Sequence, residues 1–315
     1  MNSDRDDDLG LWRSRRALLA AGAIAALRSA PAHAQGHGLE QLLARRQPGD
    51  AQPSEFPLPQ GATVERDIAY GDQRQHKLDL YRPENPRNAP IMVMVHGGAW
   101  RLGDKSHGRV VRNKVGHWVG GKGWILVSLD YRLLPEAKPL EQARDVARAL
   151  AFVQGKAADW GGDASRIVLV GHSSGAHLVS LLSADPVLAG SVGAKPWRAT
   201  LALDSAAFDV DGIMRGKHYG FYDAAFGSDP QEWRAASPLH RLDRSLGLPM
   251  LAVCSSRRAD SCAQAQAFAA KVATLGGRVT VLPVDLGHGE INERLGTPGA
   301  YTDQVDAFLS SAGLP

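Results

Sequence analysis

Gly171-His172-Ser173-Ser174-Gly175 constrains this 315-residue chain more than any other segment. The β-rich run Ile167-Val168-Leu169-Val170 leads straight into it, and the helix-forming Ala176-His177-Leu178-Val179-Ser180-Leu181-Leu182 leads straight out. A strand that becomes a helix within five residues must bend sharply. Glycines two before and two after the serine let the helix and a neighbouring strand approach without side-chain clashes. Such a bend holds Ser173 in a strained conformation, lifts its hydroxyl above the sheet and sets a helix N-terminus beneath any negative charge that develops there. The plain alternative is a structural glycine turn.

The surrounding pattern favours a sheet with helices around it. Short β-rich runs fall at Thr63–Tyr70, Lys77–Tyr81, Ile91–Val95, Trp124–Leu129, Ile167–Val170, Leu201–Leu203, Met250–Val253 and Val279–Val284. Several are unbroken apolar runs, as expected of strands covered on both faces. Helical spacing appears over Glu141–Val153, Gln264–Leu275 and Tyr301–Leu309. This alternation predicts an α/β chain with a mostly parallel central sheet and helices on both faces. The first two runs lie close together, which predicts an antiparallel start. One domain over residues 61–315 accommodates all of it, and no internal repeat suggests a solenoid or propeller.

Composition narrows the partners. Hydrophobic residues are 44% and charged residues 22% of the chain, which excludes a mainly disordered chain, a collagen-like fibre and a multi-span membrane protein. The 36 basic and 33 acidic residues nearly balance, and no Lys/Arg-rich run points to a nucleic acid.

A serine hydroxyl is a poor nucleophile until a base takes its proton. With this type of turn the partners follow in the order Ser, acid, His. His288, in Asp285-Leu286-Gly287-His288-Gly289-Glu290 just past the run Val279–Val284, is the candidate base. His240 is the rival, but it falls in the helical-looking stretch Glu232–Leu242. The favoured acid is Asp260, shortly after Met250–Val253, where a carboxylate would accept the ring N–H and fix its tautomer. Asp260 as a mere helix cap is the plain alternative, and Asp204 is the other candidate acid. Because His288 must be neutral to act, activity is expected to rise through roughly pH 6–7.

His96-Gly97-Gly98-Ala99-Trp100 follows the run Ile91–Val95. Glycines there let backbone N–H groups of Gly97, Gly98 and Ala99 turn toward an oxyanion, and the N–H of Ser174 would complete the hole. These segments, with Asp130-Tyr131-Arg132-Leu133, Pro135 and Gly162-Asp163 ahead of the serine turn, resemble the α/β-hydrolase fold. Within it they are similar to the esterase/lipase branch with an HGGxW loop, which includes carboxylesterases and kynurenine-formamidase-like enzymes. The resemblance runs from about Thr63, more safely Lys77, to Leu309. It implies hydrolysis through a Ser-Asp-His triad of Ser173, Asp260 and His288, with no metal and no organic cofactor. The substrate it implies is a small or medium ester, or alternatively an N-formyl or aryl amide. A non-catalytic ligand-binding homologue is the third reading. Ala99 departs from the lipase-like relatives, which carry a third glycine there.

The long segment between Leu203 and Met250 holds Phe208, Met214, His218, Tyr219, Phe221, Tyr222 and Phe226. It is read as an insert over the active site, with Trp100, Tyr219, Phe221 and Tyr222 as substrate wall or, equally, as a satellite core. Cys254 and Cys262 flank Asp260; whether they bridge is open from sequence.

The leading segment reads as an address. Arg15-Arg16 precede the uncharged stretch Ala17–Leu27 and the small-residue signature Ala32-His33-Ala34. Eleven apolar residues rise only about 16 Å as a helix, too short to span a bilayer, so no stable membrane anchor is expected. The pattern resembles a twin-arginine signal over residues 1–34, cleaved after Ala34, with residues 35–60 as an N-terminal arm and the periplasm as destination. Asp4, Asp6, Asp7 and Asp8 depart from it by cancelling the charge of Arg5, Arg13, Arg15 and Arg16.

Overall fold

The computed structural model describes residues 55–314. The expected signal and most of the expected arm lie outside the described residues.

All eight β-rich runs form strands: β1 (Thr63–Ala69), β2 (Lys77–Arg82), β3 (Ala89–Val95), β4 (Ile125–Leu129), β5 (Gly162–His172), β6 (Ala199–Leu203), β7 (Met250–Ser255) and β8 (Val279–Val284). They make one sheet in the order β1-β2-β4-β3-β5-β6-β7-β8. β1 pairs antiparallel with β2 and β2 antiparallel with β4, and every later pairing is parallel. β1 and β2 are joined by a short turn, which only antiparallel neighbours allow, residues 83–88 carry the chain from β2 to β3, and each strand from β4 on returns through a crossover.

Strand alternation sends side chains to two cores. Ile91, Val93, Val95, Ile167 and Leu169 face one apolar cluster, together with Val146 and Leu150 of the helix Pro139–Lys156 and Leu178 and Leu182 of the helix Ser174–Ala184. Met92, Met94, Val168 and Val170 face the other, with Trp118, Trp124 and Val305 and Leu309 of the helix Ala300–Ser311. Both faces are covered, which is why the central strands read as continuous apolar runs. Phe56, at the end of the arm, stacks on Tyr81 at 6.2 Å between ring centroids.

The expected helix across Glu232–Leu242 is two short helices, Pro230–Ala235 and Pro238–Arg241. Pro238 lacks the N–H that a continuous helix needs and starts the second one instead.

Candidate active site

The parallel strands all end on one side of the sheet, and the candidate residues collect there. His172, the last residue of β5, pairs with Leu203, the last residue of β6. The next residue on each strand is therefore Ser173 on one and Asp204 on the other, side by side. The Ser173 N–H donates to Leu203 O at 2.9 Å and the Asp204 N–H to Val253 O at 2.8 Å. Both residues have left-handed backbone, φ 56° at Ser173 and 54° at Asp204, which non-glycine residues adopt only under constraint.

The constraint at Ser173 is steric. A Cβ at Gly175 would lie 2.4 Å from Val95 O and 2.5 Å from His96 O, so only glycine lets the helix that starts at Ser174 sit against the end of β3. A Cβ at Gly97 would lie 2.8 Å from the Ser173 Cβ, which places the glycine loop after β3 directly beside Ser173. That loop is itself contorted, with φ 133° at Gly98, 51° at Ala99 and 60° at Trp100. Gly97 thus borders Ser173, Gly98 and Ala99 follow it in the same loop, and Ser174 opens the helix at the side of Ser173.

His288 begins the helix His288–Arg294, four residues past the end of β8. Its Nε2 is 3.0 Å from Ser173 Oγ and its Nδ1 is 2.6 Å from Asp204 Oδ2. A carboxylate only accepts, so Nδ1 carries the proton and Nε2 accepts from the serine hydroxyl. The ring of His172 lies 4.7 Å from that of His288, and its Nε2–H donates to His288 O at 2.9 Å. Burial first, then the neighbouring His288, draws the His172 pKa down to about 3, so this second ring stays neutral.

The expectation for Asp260 is corrected. Its carboxylate sits in the first turn of the helix Ala259–Thr274, 51% exposed, and accepts from Arg258 Nη2 at 3.1 Å. Arg258 stands between it and the ring, with Nη1 2.9 Å from His288 Nδ1. A helix-opening acid is stabilised by the helix dipole and by water, so nothing draws Asp260 inward. The carboxylate on His288 is Asp204, which is fully buried. Burial would raise the Asp204 pKa, but the His288 hydrogen bond, the Arg258 charge and the Ser261 hydroxyl outweigh it and hold the pKa well below the usual carboxylate range. Chain order did not separate the two, since both lie between Ser173 and His288. The strand register does, because a residue one past β6 must stand next to one past β5.

Among the four wall candidates the structure divides the roles. Trp100 is buried, and its Nε1–H donates to His177 Nδ1 at 3.1 Å. His177, in turn, donates from Nε2 to Ala236 O at 2.7 Å, tying the helix behind Ser173 to the insert. Burial draws the His177 pKa down to about 4, which keeps Nδ1 free to accept. Tyr222 is also buried, 5.8 Å from Trp100, and Phe226, which stacks on Tyr222, lies 4.9 Å from Trp100. Tyr219 and Phe221 are partly exposed and stack at 5.7 Å. The insert thus forms a satellite core of Trp100, Tyr222 and Phe226, with Tyr219 and Phe221 at its partly exposed edge.

Cys254 and Cys262 are bridged, with Cα atoms 5.0 Å apart. Among the described residues, no cluster of three or more His, Cys, Asp or Glu side chains is placed to hold a metal ion, and no helix is long and apolar enough to cross a membrane.

Both the sequence and the fold are similar to those of known proteins. The BD-FAE family model matches residues 78–190, which contain the glycine loop and the serine turn but neither Asp204 nor His288. A probable isoprenylcysteine alpha-carbonyl methylesterase, ICMEL1 of Arabidopsis thaliana, is 35% identical over 126 residues, 40% of this chain and 26% of that protein. Esterase LipQ of Mycobacterium tuberculosis is 33% identical over 188 residues, 55% of this chain and 44% of that protein. The chain therefore spans between about a quarter and less than half of the length of these curated relatives. A truncated carbohydrate esterase from gut microbiota superimposes with a TM-score of 0.66 at 20% identity, covering 85% of this chain and all of that one. The fold is that of the α/β-hydrolases, and the sequence relatives are esterases.

Proposed function

We propose that this chain is a serine hydrolase that cleaves carboxylic esters of small or medium substrates through an acyl-enzyme. The observation that carries the reading is the unbroken relay from Asp204 Oδ2 to His288 Nδ1 and from His288 Nε2 to Ser173 Oγ. Ser173 Oγ attacks the ester carbonyl carbon as its proton passes to His288 Nε2. The carbonyl oxygen becomes an oxyanion beside the Gly97–Gly98–Ala99 loop and the Ser174 N–H, where aimed donors are each worth on the order of a hundredfold in rate. Collapse breaks the bond to the alcohol oxygen, which leaves with the proton from His288. Water then loses a proton to His288 and attacks the acyl carbon, and Ser173 recovers its proton as the acid leaves. Asp204 stays ionised throughout and stabilises the imidazolium. Tyr219 and Phe221 supply an apolar surface for the acyl or alcohol group.

Export through a twin-arginine-type signal over residues 1–34 to the periplasm belongs to the same proposal. The Cys254–Cys262 bridge supports it, because such bonds persist in oxidising compartments.

A p-nitrophenyl ester chain-length series on the wild type beside Ser173→Ala tests the reading. The wild type is expected to favour short or medium acyl chains, and Ser173→Ala to lose at least about 10⁴-fold in kcat. Equal turnover by the two proteins sinks it.

A further inference from the structure

The acid is held by more than the histidine. Asp204 Oδ1 accepts from the Ser255 N–H at 2.7 Å and from the Ser261 hydroxyl, and Asp204 Oδ2 accepts from Arg258 Nη1 at 2.7 Å as well as from His288. The three donors other than His288 lie within seven consecutive residues, Ser255 to Ser261. Cys254 and Cys262 flank that stretch on either side, and their bond closes it into a ring. Building on the triad reading above, we propose that this disulfide-closed loop is a clamp that orients the carboxylate of the acid, with Arg258 as its main positioning residue.

The geometry gives each donor a separate task. Ser255 and Ser261 fix one oxygen, so the carboxylate does not rotate about its own axis. The other oxygen is shared by two neighbouring donors, the ring N–H and the guanidinium, whose nitrogens lie 2.9 Å apart. Arg258 is largely buried, and burial works against its charge. Asp204 and Asp260 more than compensate, and its pKa is raised above the ordinary arginine value. Asp260 therefore has a part after all, one step removed, since it anchors the far nitrogen of the residue that anchors Asp204.

Other charges near His288 are accounted for. His172, at the end of β5, is kept neutral by burial. On the histidine's own helix, Glu290 is engaged by Arg257, Arg294 and the Gly287 N–H. Lys114, on the helix Gly108–Lys114, is spent on Asn292 and Val110 O. Asp204 and Arg258 remain as the charges in direct contact with the ring.

The test is the pH dependence of kcat and KM on a p-nitrophenyl ester for wild type, Arg258→Ala, Arg258→Lys and the double variant Cys254→Ser/Cys262→Ser. A thermal melt of each accompanies it. Arg258→Ala is expected to lose about tenfold or more in kcat with little change in KM, because the base is misoriented rather than the substrate lost. Its acid limb is expected to move up by about one pH unit, as removing a neighbouring cation favours the protonated ring. Arg258→Lys restores the limb by restoring the charge. The double serine variant lowers kcat in the same sense, since the ring of the loop is opened while its donors remain. Arg258→Ala with wild-type kcat and an unmoved acid limb overturns the clamp, whatever its melting temperature. Ser173→Ala, run alongside, separates the two ideas: an active Ser173→Ala defeats the serine reading, whereas an inactive one beside an unaffected Arg258→Ala defeats the clamp alone.

Discussion

The two halves of the site are built by different means. The nucleophile half, the glycine loop after β3 and the turn after β5, is made by close backbone contact between adjacent strands. It needs glycine where the Gly175 Cα faces Val95 O and His96 O, and where Gly97 faces Ser173. The acid–base half is made by side chains from three separate segments, Asp204 after β6, the bridged loop after β7 and His288 after β8. There the contacts are hydrogen bonds and charge, and few of them demand a particular neighbour in sequence. A steric requirement leaves a motif; a tertiary hydrogen-bond network does not.

Three changes probe that contrast, in decreasing order of effect. Gly175→Ala pushes a methyl group into two backbone carbonyls that have no side-chain freedom to yield. It is expected to cost about 3 kcal/mol, read as a lowered urea midpoint, and to remove activity by displacing the loop from Ser173. An unchanged midpoint means that the close packing does not define the nucleophile half.

Lys114 probes the other half from behind. Its fully buried Nζ lies within hydrogen-bond distance of Val110 O, Asn292 O and Asn292 Oδ1, the last two on the helix that His288 begins. Burial draws its pKa down to about 7 from the ordinary lysine value of 10.5. Between these values the unfolded chain binds a proton that the folded chain does not, so this group makes stability rise with pH. The slope is up to about 1.4 kcal/mol per pH unit. Below pH 7 the lysine is protonated in both states, and the cost of burying its charge is present in full. Lys114→Met is expected to flatten stability against pH between about 8 and 10, measured by denaturant titration at each pH. A slope equal to the wild type's refutes this account of Lys114.

The smallest effect is expected at Ala99. Its φ of 51° suits glycine better than alanine, and the contribution proposed for it at the oxyanion is a backbone N–H that either residue supplies. Ala99→Gly is expected to stabilise by up to about 1 kcal/mol and to leave kcat within about threefold of wild type. A large loss of activity makes the alanine methyl part of the pocket wall.

Much of the architecture was legible because it rests on patterning. Eight β-rich runs became eight strands, and the early pair without a helix between them became the antiparallel start. Ser173, His288 and the glycine loop were legible because each lies at the end of a recognisable strand, and the structure brings them together. Asp260 misled because an acid shortly after β7 fits the expected chain order as well as Asp204 does. Only the pairing of His172 with Leu203 places Asp204 beside Ser173, and that pairing is a property of the sheet. The break in the helix near residue 237 has its sequence signal in Pro238, which helical periodicity alone does not register. The contact of Arg258 with Asp204 left no sequence signal, since of two adjacent arginines one meets Asp204 and the other, Arg257, pairs with Asp285 at the surface.

The central claim is that the carboxylate on His288 comes from Asp204 and not from Asp260. Measuring kcat/KM of Asp204→Asn and Asp260→Asn side by side, on one ester and at one pH, tests it directly. Asn at 204 keeps the shape but removes the charge that fixes the ring tautomer, so a loss of about 10⁴-fold is expected there and less than about tenfold at Asp260. A larger loss at Asp260 than at Asp204 contradicts the account.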